Sequence, residues 1–140
     1  MGFNFDRKAC SIIMAKRDLK QVGTITEQIA IEHKLRQYTD RPIMQSLDFY
    51  CHITKHIKEF KCPENYMNAL NNISNILSNP EFTVYDKDRG TLLYYGKLDD
   101  NVCYVVKLNL DKDYSYLASL YPISEKKMER QKERKYYRVS

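Results

Sequence analysis

At Pro80 the spacing of apolar residues changes from helical to alternating, and the chain divides there into two kinds of structure. Upstream, Leu47, Tyr50, Ile53, Ile57 and Phe60 recur every three or four positions behind Ser46, a capping residue. Tyr66, Leu70, Ile73, Ile76 and Leu77 repeat the pattern behind Pro63 and Glu64. Proline at the first helical position loses no hydrogen bond, and an acid in the first turn complements the helix dipole. That helix therefore starts at Pro63 and stops at Asn79-Pro80. An earlier helix fits residues 23–36, capped by Thr24 or Thr26, with Glu27 three after Thr24 and with Ile25, Ile29 and Leu35 as apolar support. Thr39-Asp40-Arg41-Pro42 breaks it from the next. Residues 7–20 admit a short first helix without a strong pattern.

Downstream, residues 82–85, 91–96, 102–110 and 114–120 are rich in Val, Leu, Tyr and Thr. Between them lie Asp86-Lys87-Asp88-Arg89-Gly90, Asp99-Asp100-Asn101 and Asp111-Lys112-Asp113, all turn sequences. Connections this short join antiparallel neighbours. The expectation is an α+β fold: N-terminal helices packed on one face of a four-stranded antiparallel sheet.

Charge is concentrated rather than spread. The net charge is +5, and residues 124–140 hold seven Lys/Arg against three Glu, so +4 resides there and about +1 in the rest. Glu125, Glu129 and Glu133 interleave with Lys and Arg at i+3 and i+4, a pattern that favours a basic C-terminal helix or tail. Such a segment attracts polyanions. A hydrophobic content of 43% is that of a globular domain and excludes wholesale disorder. No apolar run approaches the roughly 18 residues that cross a bilayer. Residues 1–20 offer only a short apolar stretch, 11–15, between charges, unlike a secretory signal. Cys10, Cys51, Cys62 and Cys103 form no CxxC pair, so a zinc knuckle is not expected and reduced thiols in the cytoplasm are.

The last hairpin carries an unusual residue. Pairing Leu110 with Tyr114 across a three-residue turn sets Val105 opposite Ser119 and Lys107 opposite Leu117. These four then share a face, with Lys107 and Ser119 as diagonal neighbours. The other face, with Tyr104, Val106, Leu108 and Leu110 beside Tyr116, Ala118 and Leu120, is apolar enough to receive the helices. A lysine in the middle of so apolar a strand is either a snorkelling surface residue or a placed cation.

Of three histidines, His33 stands alone and reads as structural. His52 and His56 are four apart, hence on one helical face. Ile53 follows His52, so HExxH is absent and no third ligand suggests zinc. Their chemistry then suits general acid–base work or a plain surface pair. Cys51 beside His52 does not make a thiol–imidazole pair, because adjacent helical residues point apart.

Several pieces, in order, resemble the phage-type barnase–EndoU–colicin–RelE-like nuclease family. They are Gln45-Ser46; His52-Ile53-Thr54-Lys55-His56; the run from Asn72-Ile73-Ser74 to Asn79-Pro80-Glu81-Phe82; Asp100-Asn101-Val102; Val106-Lys107-Leu108; and Leu117-Ala118-Ser119-Leu120-Tyr121, before Ile123 and Lys126. The resemblance covers about residues 22–127. Glu81-Phe82 stands where the family often has Asp-Tyr after the helix-ending proline, and the proline that often follows the second histidine is missing.

The resemblance implies one nuclease-like domain over 1–140, with an N-terminal extension (1–22), a helical part (23–79), an antiparallel sheet (80–122) and a basic tail (123–140). It implies metal-independent RNA cleavage without a cofactor, in a phage- or prophage-encoded toxin or effector acting in the host cytoplasm. His52 and His56 match the family's histidines, Lys107 its strand lysine and Ser119 its small hydroxyl residue. Attack by the RNA's own 2′-OH needs a base, an acid and a cation for the phosphorane. His52 is the expected base and His56 the acid or phosphate contact, with the reverse assignment open. Lys107 would stabilise the phosphorane, and Ser119 with Tyr121 would bind a phosphate oxygen. Lys126, Lys127, Arg130 and Arg134 would track the RNA backbone, with Tyr136 and Tyr137 as stacking surfaces. The competing expectation is a catalytically inactive RNA- or protein-binding module, such as an inhibitor of a host system. A cognate inhibitor or host protein is a further expected partner, and a membrane is not.

Overall fold

A computed structural model describes residues 19–60, 62–98, 102–111 and 115–139, leaving aside the side chains of 47, 48, 50 and 136–139. Among the described residues, six strands and five α-helices follow in the order β1 (Lys20–Thr24), α1 (Glu27–Glu32), β2 (Pro42–Gln45), α2 (Leu47–Ile53), α3 (Pro63–Asn71), α4 (Ile73–Ser78), β3 (Phe82–Asp86), β4 (Thr91–Leu98), β5 (Val102–Asn109), β6 (Ser115–Ile123) and α5 (Glu125–Val139). Short 3₁₀ helices follow α1 (Arg36–Tyr38) and α2 (Thr54–Glu59). The expected extension falls largely outside the described residues, as do Cys10 and the turn at 99–101.

The α+β class holds, but the sheet is six-stranded and mixed, in the order β1-β2-β6-β5-β4-β3. The four-stranded meander is its larger part. The sequence reading missed β1 and β2, which pair antiparallel to each other, while β2 runs parallel to β6 at Ile43–Ser115 and Met44–Tyr116. Four or five residues are too few to show a period of two, and Pro42 is tolerated because it opens its strand. Lys20, expected at the end of a short helix, begins β1.

The helices are shorter than their apolar stripes. Thr26 caps α1 by accepting the Ile29 N–H at 3.3 Å. The helix stops at Glu32 rather than near Arg36, because the chain folds back in a Schellman motif. Lys34 N–H reaches the Ile31 carbonyl and Leu35 N–H the Ala30 carbonyl, with Lys34 at φ 58°. The stripe from Ile53 to Phe60 continues not as α-helix but as 3₁₀, where the Thr54 hydroxyl donates to the Cys51 carbonyl at 2.8 Å. The single helix expected over 63–79 divides at Asn72, whose amide donates to the Tyr104 hydroxyl at 2.8 Å.

The first four helices cover one face of the sheet, over Leu92, Tyr94, Tyr104, Val106, Leu108 and Leu120. Gly96 is required there: a Cβ would collide with the Ile76 side chain of α4 and with the Tyr104 ring. On the other face α5 docks through Met128 onto Phe82, Tyr95, Cys103 and Val105. Lys97 reaches Glu125 at 3.4 Å at one end of α5, and Lys135 reaches Glu32 at 2.5 Å toward the other. The expected basic tail is thus a packed element.

Candidate active site

Strand β6 has a partner on both sides only at its start. Among the described residues β2 pairs with Ser115 and Tyr116 alone, and from Leu117 onward α2 and its 3₁₀ extension border that edge. His52 occupies the last turn of α2 and His56 the middle of the 3₁₀ segment. They do not share one regular α-helix, yet their ring centroids are 5.8 Å apart in an edge-on arrangement. His56 lies 6.2 Å from the Tyr121 ring. Tyr121 belongs to the sheet face opposite the four N-terminal helices, so the histidines reach that face around the β6 edge.

Lys107 and Ser119 are directly opposite on β5 and β6. The sequence register made them diagonal. An irregularity follows Lys107: the pairing steps from Lys107–Ser119 to Leu108–Leu117, leaving Ala118 without a counterpart. Such a bulge shifts every later residue by one. It turns Leu117 into the core beneath the helices and leaves Lys107 and Ser119 together on the α5 face. Lys107 is half-buried and Ser119 is 6% exposed. Tyr121 follows two residues on, facing Val105. Burial raises its hydroxyl pKa, and burial with the neighbouring Tyr121 pushes Tyr95 up to about 12. Both phenols remain hydrogen-bond donors at neutral pH.

Glu59 was not anticipated. Its Oε2 lies 2.7 Å from His56 Nδ1. A carboxylate only accepts, so Nδ1 carries the proton and Nε2 is the nitrogen able to exchange one with a ligand. The i,i+3 spacing of His56 and Glu59 was the available signal.

Lys126, Lys127, Arg130 and Arg134 are all exposed on α5. Lys135, by contrast, turns inward with its side chain 10% exposed. The side chains of Tyr136 and Tyr137 lie outside the described residues. No group of three His, Cys, Asp or Glu side chains among the described residues could hold a metal ion. None of their helices is long and apolar enough to cross a membrane.

A family-wide sequence profile, that of the phage-Barnase-EndoU-ColicinE5/D-RelE like nuclease3, matches residues 20–130. The chain belongs to this family. The match runs from the first residue of β1 into α5, so it takes in both histidines, Lys107, Ser119 and Tyr121. A nuclease domain of this phage-type family acts on nucleic acid. No curated protein and no solved structure matches the chain.

Proposed function

We propose that the protein is a metal-independent endoribonuclease, a phage-encoded effector or toxin that cleaves RNA by attack of the 2′-OH on the adjacent phosphorus. The observation that carries this reading is the approach of the His52–His56 pair to Tyr121, on the sheet face that bears Lys107 opposite Ser119. In this reading His52 withdraws the 2′-OH proton, and His56, held by Glu59, gives a proton to the departing 5′-oxygen. Lys107 offsets the second negative charge that develops on the phosphorane. Ser119 and the Tyr121 hydroxyl donate to a non-bridging oxygen. The products are a 2′,3′-cyclic phosphate and a 5′-OH end, and no bond in the sequence requires a metal ion. The exposed cations of α5 hold the strand by its phosphates.

Incubation with total RNA in EDTA tests the reading. The wild type is expected to leave cyclic phosphate ends, and the His52→Ala/His56→Ala variant to leave RNA intact. Intact RNA with both proteins would point instead to a binding module that lacks catalysis.

A further inference from the structure

Two adjoining cavities open beside Glu59, the residue that orients His56. One, of about 330 Å³, runs from Glu59 past Phe60, Cys103, Pro122 and Ile123 to Asn65. The second, of about 460 Å³, shares Asn65 and Val102 with it and continues along α3 past Asn68 and Asn71 to Lys97. Together they form a groove leading away from the histidines, apolar in its first half and rich in carboxamides in its second.

Its chemistry is unlike that of a phosphate track. Lys97 is the lysine of the groove, and Glu125 lies 3.4 Å from its ammonium. Glu59 adds a negative charge at the other end. Apart from the Ser124 hydroxyl, which accepts the Lys127 N–H, the remaining polar side chains are neutral amides. Asn72 is already engaged with Tyr104 and Asn75. The side-chain amides of Asn65, Asn68 and Asn71 have no hydrogen-bond partner among the described residues. Asn65, Asn68 and Asn71 are spaced i, i+3, i+6, so α3 presents them along one side. A carboxamide places a donor beside an acceptor and so matches the edge of a base, adenine above all, whereas a phosphate offers acceptors only. An apolar slot suits the flat faces of an unstacked base.

We propose that this groove is a base-reading subsite. It takes the nucleobases of single-stranded RNA next to the scissile phosphate, and Asn65, Asn68 and Asn71 give it a preference for adenine. The inference rests on the ribonuclease reading above, and it adds a source of sequence selectivity separate from the cationic outer face of α5.

The test measures binding of the full-length His52→Ala/His56→Ala protein to fluorescent rA, rC and rU octanucleotides by anisotropy, beside cleavage of total RNA by the wild type. The subsite predicts binding of rA about tenfold tighter than rC or rU, a preference that Asn68→Ala/Asn71→Ala abolishes. Arg130→Glu/Arg134→Glu should weaken all three equally. Equal binding of the three octamers, or an equal loss for all three in the asparagine variant, overturns the subsite while leaving cleavage intact. Absence of cleavage with the adenine preference retained overturns the nuclease reading and keeps the subsite. If no octamer binds, the subsite falls whatever the cleavage result.

Discussion

Glu59 and His56 are joined by a hydrogen bond of 2.7 Å, side chain to side chain, one 3₁₀ turn apart. The contact fixes both the tautomer and the direction of the imidazole, which a proton-transferring histidine needs more than it needs charge. Glu59→Gln should therefore lower kcat by about 10–100-fold, part of the 10²–10⁴ supplied by a positioned acid or base, with KM little changed. In a His56→Ala background the same substitution should have no further effect. Steady-state kinetics on a short RNA in EDTA checks both, and additive losses would remove Glu59 from the mechanism.

Lys107 faces Ser119 across β5 and β6. If the ammonium meets the phosphorane charge, Lys107→Ala should reduce kcat by about 10²–10³ and Lys107→Arg by much less. Ser119→Ala should cost less than the lysine, since a neutral donor contributes less than a charged one. Lys107 is only half-buried, so neither lysine variant should shift the unfolding midpoint by more than a few degrees. A Lys107→Ala protein with unchanged kcat would refute the assignment.

The parts that were legible in the sequence are those with a period long enough to read. The strands β3 to β6 extend over five to nine residues each, and all four fell within a few residues of their expected limits. β1 and β2 are defined by pairing between distant segments, which no local pattern encodes. The bulge at Ala118 has the same character. Nothing in Leu117-Ala118-Ser119 marks an unpaired residue, yet it decides which face Leu117 takes and sets Lys107 beside Ser119. His52 and His56 were found by spacing, but their route to the far face depends on how little of β6 is covered by β2. Glu59 was visible as a residue but had no meaning until the fold set it against His56, nor had the asparagines of α3 until the fold placed them along a groove.

The basic helix has two faces with different duties. Met128 and Lys135 dock it, and the Lys135 ammonium sits beside Glu32 and 5.8 Å from the centre of the Phe82 ring. Glu32→Ala leaves that largely enclosed ammonium without its carboxylate and should destabilise the protein by about 2 kcal/mol, read from urea unfolding. Arg130→Glu/Arg134→Glu lies on the exposed face and should leave stability within about 0.5 kcal/mol of wild type. It should weaken RNA binding and reduce the slope of log affinity against log salt by roughly two. Unchanged salt dependence would exclude this face from the RNA path.

His33, expected from sequence to be structural, carries a pH linkage. Its Nε2 lies 2.7 Å from the Thr83 hydroxyl, which itself donates to Glu32. Burial holds the His33 pKa below 6.5; Glu32 opposes that shift and Lys135 adds to it. A histidine depressed in the folded state takes up its proton later than in the unfolded chain. In the window just below pH 6.5 the unfolded state therefore binds more protons, and stability falls as the pH falls. Urea unfolding of the wild type should show a smaller unfolding free energy at pH 5 than at pH 7. His33→Gln keeps an amide donor for Thr83 without a titrating group, so it should flatten that slope while staying folded at both pH values. Equal pH slopes in the two proteins, or a His33 titration midpoint above 6.5 by NMR, would show that burial does not control this residue.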